Sequence, residues 1–126
     1  MSRHYAVWID HNEARIFHVA EEGAVEKTVR APDTHHPHHP KRPDHHKGSP
    51  ADAEHFYHDV VRSLEGADEV LVMGPGTAKL EFIRHAHKHD RILEPKIVGV
   101  ETVDHPTDPQ VVAFANRYFK KADMFR

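Results

Sequence analysis

The chain contains no cysteine. That excludes disulfides, a thiolate metal site and a cysteine nucleophile. It has no run of about 18 apolar residues, and a strand pattern begins at Tyr5 with no charged-then-apolar leader before it. The expectation is a cytoplasmic protein with no membrane partner. There is no Gly-Gly pair, and Gln110 is the single glutamine. There is no excess of positive charge: 17 Lys and Arg stand against 20 Asp and Glu, a net charge of −3 with histidine neutral. Such a balance is no footprint for non-specific DNA binding over the whole surface. The apolar fraction, 38%, is low for a globular chain. The deficit is concentrated in one segment; the sequence on either side has ordinary core composition.

That segment runs Asp33-Thr34-His35-His36-Pro37-His38-His39-Pro40-Lys41-Arg42-Pro43-Asp44-His45-His46 and holds six of the fifteen histidines. Its three prolines delete backbone donors and push their neighbours toward extended backbone. Neither helix nor strand fits, so residues 33–48 read as a long loop set inside a domain, and loops of that length are usually functional or disordered. Imidazole titrates near neutral pH and is the commonest protein metal ligand. The run is therefore compatible with metal capture, with a pH-dependent charge and with a phosphate-facing surface.

The flanks are regular. Tyr5–Ile9, Ala14–Ala20 and Val25–Arg30 are strand-like runs separated by turn composition, as in an antiparallel meander. Ser49-Pro50-Ala51-Asp52 opens a helix, with Ser as N-cap and Pro at the first position. Its stripe is Ala53, Phe56, Tyr57, Val60, Val61 and Leu64, and Gly66 ends it. Val70–Met73 is a continuous apolar run, as in a strand buried on both faces. Gly74-Pro75-Gly76 turns into a helix from Thr77 to about His89. Ile97–Val103 is a fifth strand, and Thr107-Asp108-Pro109-Gln110 has capping-box spacing for a third helix ending near Lys120-Lys121. The 126 residues thus form a single α/β domain of order βββαβαβα. Parallel crossovers joined to a leading meander are the arrangement of the ribonuclease H-like layered fold. The expected product is one mixed sheet of order 3-2-1-4-5, with the second strand antiparallel to the rest. Val7, Ile9, Phe56, Val60, Leu64, Val72, Ile83, Val98, Ala115 and Phe119 are expected in its core.

The stretch Val70-Leu71-Val72-Met73-Gly74-Pro75-Gly76-Thr77-Ala78-Lys79-Leu80-Glu81-Phe82 resembles the strand-GPG-x-x-K-x-x-F segment in the central domain of the Pelota and peptide-chain release-factor family. The opening Tyr5–Asp10, its turn and the second strand are similar to the start of that domain. The element order matches over essentially the whole chain. In release factors of this family the loop between the third strand and the first helix carries a Gly-Gly-Gln tripeptide that enters the peptidyl-transferase centre. Here the His-rich loop stands in that place and the tripeptide is missing, so peptidyl-tRNA hydrolysis does not carry over. The resemblance implies a translation-associated scaffold of the kind found in translational machinery components.

The sites follow. Lys41, Arg42 and Lys47 outnumber Asp33 and Asp44, so the loop is slightly basic with neutral histidine and strongly basic when histidine is charged. A basic, Pro-stiffened finger suits RNA phosphates. The preferred reading is therefore non-enzymatic: association with RNA or the ribosome through this loop. The alternative is a His-rich metal-binding protein, with His35, His36, His38, His39, His45 and His46 wrapping Zn, Ni or Cu. His85 and His89, at chelate spacing on the second helix in line with Glu81, form a second candidate pair, against the plainer explanation that imidazolium near a helix C-terminus is favoured by the macrodipole. His55 and His58 stand near the loop exit. Gly74, Gly76 and Thr77 offer backbone N–H groups at a helix start, an anion site that Lys79 would support. The third reading is a metal-dependent hydrolase of ribonuclease H-like type, which needs clustered carboxylates; Asp10, Glu54 and Asp104 are the candidates.

Overall fold

The computed structural model describes residues 3–20, 23–32 and 50–124. Residues 33–48 therefore lie outside the described residues, as does Ser49. Five strands are described: β1 (His4–Ile9), β2 (Glu13–Ala20), β3 (Gly23–Arg30), β4 (Glu69–Gly74) and β5 (Ile97–Thr102). The helices are α1 (Pro50–Ser63), α2 (Ala78–His89) and α3 (Asp108–Met124), with a short 3-10 turn at Glu94–Lys96. The sheet order is β3-β2-β1-β4-β5, as expected. β2 is antiparallel to β1 and β3, while β1, β4 and β5 are parallel.

The two central strands explain why the sheet is covered on both faces. Along β1, Val7 and Ile9 join the cluster under α1 and α2, whereas Ala6 and Trp8 join the cluster under α3. β4 divides the same way, with Val70 and Val72 on one side and Leu71 and Met73 on the other. All eight side chains are essentially inaccessible. Burying a large apolar side chain contributes about 1.5–3 kcal/mol, so these strands have no solvent-facing alternative. α1 buries Phe56, Tyr57, Val60 and Val61, with Leu64 just beyond its end. Gly66, at φ +91°, closes that turn in the left-handed region. α3 lays Val111, Ala115 and Phe119 on the opposite face.

Local chemistry sets the close contacts. Thr107 N donates to Gln110 Oε1 at 2.9 Å and Gln110 N to Thr107 Oγ1 at 3.3 Å, a capping box. A Cβ on Gly74 would stand 2.2 Å from the carbonyl oxygen of Ile9, so the β4–α2 turn passes β1 closely enough to require glycine. A Cβ on Gly99 would meet the Tyr118 hydroxyl at 2.2 Å.

Three expectations need correction. Val98 is 37% exposed rather than core. Val70 pairs with Ile97 but Leu71 pairs with Gly99, so a register shift leaves Val98 as an extra residue on an edge strand. Ile83 is half-buried against the α1/α2 cluster. α3 runs one turn past Lys121, because Ala122, Asp123 and Met124 include no glycine or proline to stop it.

Candidate functional site

The carboxyl ends of β1, β3, β4 and β5 all point to one end of the sheet. Ligands of open α/β sheets bind outside those ends. Four segments meet there: Asp10–Asn12 after β1, Ala31 and Pro32 after β3, Gly74–Thr77 after β4, and Val103–Thr107 after β5. Ala31 N donates to Asn12 O at 2.9 Å, which fixes the departure point of the His-rich segment against the β1–β2 turn.

On the α1/α2 side a carboxylate sits at the centre. Glu81 accepts from Tyr57 Oη at 2.9 Å, from Thr77 Oγ1 at 3.2 Å and from His11 Nε2, which lies 3.2 Å from both carboxylate oxygens. Burial works against the charge, but the hydrogen bonds from Tyr57, His11 and Thr77 outweigh it and hold the Glu81 carboxyl below the usual range. Burial, and then Glu81 itself, push the Tyr57 phenol well above its ordinary value.

On the α3 side a guanidinium sits at the centre. Arg15 Cζ lies 4.4 Å from the centroid of the buried Trp8 ring, and its Nη1 is 2.5 Å from Asp108 Oδ1. Trp8 Nε1 donates to Asp104 O at 2.8 Å. A hydrogen bond with Glu26, then Arg15, hold the Asp108 carboxyl low despite some burial. Glu26 is raised, first by that same hydrogen bond and then by burial. Beyond this cluster a groove of about 540 Å³ opens between the β5–α3 loop and α3, with Met73, Val103, Phe114 and Arg117 in its lining.

The residues singled out from the sequence are distributed as follows. Lys41, Arg42, Lys47 and the six loop histidines lie outside the described residues. Lys79 is 6% exposed and its ammonium donates to Gly76 O, which draws it into the turn rather than onto a surface open to phosphate. Gly76 and Thr77 are exposed, but the Thr77 hydroxyl is taken by Glu81, whose charge stands where an incoming anion would approach. His85 and His89 have ring centroids 4.9 Å apart, and His89 Nε2 lies 3.5 Å from Glu54 Oε2. Burial, then the charge of His89, lower the His85 pKa. Glu81 turns away from this pair toward Tyr57 and His11. His55 and His58 are exposed on α1. Asp10 Oδ1 accepts from Asn12 N and Glu13 N at 2.8 and 2.9 Å, a turn contact. Asp10 and Asp104 both face His105, at 3.8 and 2.8 Å, while Glu54 pairs with His89. The three candidate hydrolase carboxylates thus do not converge. Among the described residues, no group of three or more His, Asp or Glu is placed to hold a metal ion.

The Glu81 and Arg15 clusters and the groove were missed from the sequence. The one available signal was Arg15 itself, a cation set between Ala14 and Ile16 in a strand with buried faces.

No protein-family model and no curated sequence matches the chain. Solved structures do. The Thermoplasma acidophilum Pelota protein is similar over 88% of this chain and 30% of its own, with a TM-score of 0.61 and 22% identity. Saccharomyces cerevisiae Dom34, a translation termination-like factor involved in RNA quality control and interacting with Hbs1, is similar over 98% of this chain and 38% of its own, with a TM-score of 0.53 and 9% identity. The archaeal translation termination factor aRF1 is similar over 96% and 40%, with a TM-score of 0.54 and 13% identity. The resemblance read from Tyr5–Asp10 and Val70–Phe82 therefore extends to the fold over 88–98% of the chain, which spans about a third of the length of these proteins.

Proposed function

We propose that this domain is a non-catalytic, translation-associated module that contacts RNA or the ribosome through its basic, His-rich loop. The supporting observation is positional. The fold is that of a domain of Pelota and aRF1. The loop inserted between β3 and α1 occupies the place where the release factors of the resembled family carry their Gly-Gly-Gln tripeptide. Lys41, Arg42 and Lys47 supply charge for phosphate, and the loop histidines add more on acidification. Among the described residues no helix is long and apolar enough to cross a membrane.

The test is sedimentation with ribosomes, together with RNA titration, using protein purified without an affinity tag. Replacing Lys41, Arg42 and Lys47 with Ala should weaken binding and reduce its salt dependence. Binding should tighten as the pH falls through ~6.5, the reference imidazole value, and chelators should have no effect. Metal ligation needs neutral imidazole and shows the opposite pH slope. Tight stoichiometric Zn, Ni or Cu in the tag-free protein, with no RNA or ribosome association at low salt, would replace this reading with a metal-binding one.

A further inference from the structure

The groove beside α3 combines features that the loop does not supply. Its floor is apolar, with Met73, Val103 and the partly buried Phe114 ring. Arg117 stands at its wall, 6.0 Å from the Phe114 centroid, and no described carboxylate is within ion-pair distance of it. Hydrogen-bonding groups border the apolar floor: Gln110, and the Asp104 carboxylate, whose side chain is 91% exposed. From Gln110 to Ala122 the helix carries Arg117, Lys120 and Lys121 and no acid. Gln110, Phe114, Arg117 and Lys121 recur at helical spacing and share one face of α3.

We infer that this groove takes an unstacked base of single-stranded RNA, with Arg117 and Lys121 meeting the flanking phosphates. The chemistry fits a flat ligand with a polar edge and an anionic tether. A base stacks on an aromatic or guanidinium face, its edge meets donors and acceptors, and its phosphates follow the cations. An acidic peptide with an apolar anchor would match Arg117 and Phe114 but would bring no planar ring to stack on either. The groove opens at the same end of the sheet as the carboxyl end of β3, after which the His-rich segment follows in sequence. Four strand spacings of about 4.8 Å separate β3 from β5, about 19 Å in all, a span that a few extended nucleotides cover. The inference rests on the RNA-binding reading above and adds a second contact to it.

The experiment titrates the whole chain with short single-stranded RNAs carrying one 2-aminopurine, and with a duplex of the same sequence. Phe114→Leu keeps the apolar packing and removes the aromatic face; Phe114→Trp restores one. The expected result is quenching of the 2-aminopurine by the parent, about a tenfold loss of single-strand affinity in Phe114→Leu, and recovery in Phe114→Trp. Arg117→Ala should weaken binding and lower its salt slope. Duplex affinity should not respond to the Phe114 variants. Equal affinity of the parent and Phe114→Leu, with binding still lost when Lys41, Arg42 and Lys47 become Ala, would overturn the groove and leave the loop. The reverse pattern would overturn the loop and leave the groove. No single-strand binding by the parent, or resonance shifts at Phe114 and Arg117 with an acidic peptide alone, would overturn the inference outright.

Discussion

The two faces of the sheet end differently at the same rim. Under α1 and α2 the last polar layer is built on an anion, Glu81, which is satisfied by Tyr57, Thr77 and His11. Under α3 it is built on a cation, Arg15, which meets the Trp8 ring, Asp108 and the Pro106 carbonyl, while its buried Nε has no hydrogen-bond acceptor and lies 3.8 Å from Glu13 Oε2. In the first cluster Tyr57 bridges from α1 to Glu81 on α2, which ties the two helices together at the rim. In the second, no further helix among the described residues covers α3, and the groove lies beside it. The paired-helix face has a hollow of similar size, about 510 Å³ between β3 and α1, but Lys27, Arg30, Asp59, Arg62 and Glu65 line it with charge, whereas the α3 groove has an apolar floor.

Gly74 belongs to neither cluster but carries the chain between them, which makes it the most sensitive position. A side chain there would meet backbone, the Ile9 carbonyl oxygen, at 2.2 Å, and β1 is packed on both faces. Gly74→Ala should destabilise the fold by about 3 kcal/mol, at the upper end of overpacking, read as a lower urea midpoint at unchanged slope. A loss below about 1 kcal/mol would show that the turn and β1 can move apart. Gly99→Ala should cost less, about 1–2 kcal/mol, because the atom it meets first is the tip of Tyr118. That movement would break the hydrogen bond from Tyr118 Oη to Val98 O, now 3.0 Å. Tyr118→Phe in the same background should recover part of the loss, since it removes the hydroxyl that clashes.

The legible parts of the molecule are those whose cause is local. β1 and β4 show their burial in unbroken apolar runs, α1 and α3 show their stripes at helical spacing, and the Thr107–Gln110 capping box is visible four residues at a time. The sheet order followed from these because a leading meander joined to parallel crossovers is the arrangement of the ribonuclease H-like layered fold. The Glu81 cluster was not legible because two of its three partners, Tyr57 and His11, lie 24 and 70 residues away. Glu81 was placed instead in line with His85 and His89, its neighbours on an isolated helix. Val98 looked like core because alternation takes a regular register for granted. Lys79 looked like support for a bound phosphate because nothing in the sequence shows that its ammonium turns back to the Gly76 carbonyl.

The two rim clusters should respond differently to acid. The Glu81 carboxyl is lowered in the folded state, so its contribution is complete above the ordinary carboxylate range and is lost as the pH falls through the lowered value. Asp108 is lowered too, but its partner Glu26 is raised, and a raised carboxyl contributes most at low pH and loses that contribution as the pH rises through it. The two effects on the α3 side oppose each other. Glu81→Gln should therefore cost about 1 kcal/mol at neutral pH, after allowing for its partial exposure, and should flatten the acid limb of a stability–pH profile. Asp108→Asn should alter that limb less. An equal change in both profiles would mean that the two clusters titrate alike.

The smallest effects separate two threonines that each start a helix at this rim. Thr107 caps α3 with its hydroxyl, accepting from Gln110 N. Thr77 precedes α2 but makes no side-chain cap; its hydroxyl donates to Glu81 instead. Replacing either with Val keeps the shape and removes the hydroxyl. Thr107→Val should cost about 1 kcal/mol, because an orphan N–H loses its acceptor whatever the charge nearby. That loss should be the same at neutral pH and in mild acid. Thr77→Val removes one of the bonds that favour ionised Glu81, so it should cost less, about 0.5–1 kcal/mol, and its effect should shrink as Glu81 takes up a proton. It should also move the Glu81 carboxyl resonance midpoint upward in an NMR titration, which Thr107→Val should leave in place. A Thr77→Val effect that does not vary with pH would mean that its hydroxyl serves the helix start after all, and the Glu81 cluster would then stand on Tyr57 and His11 alone.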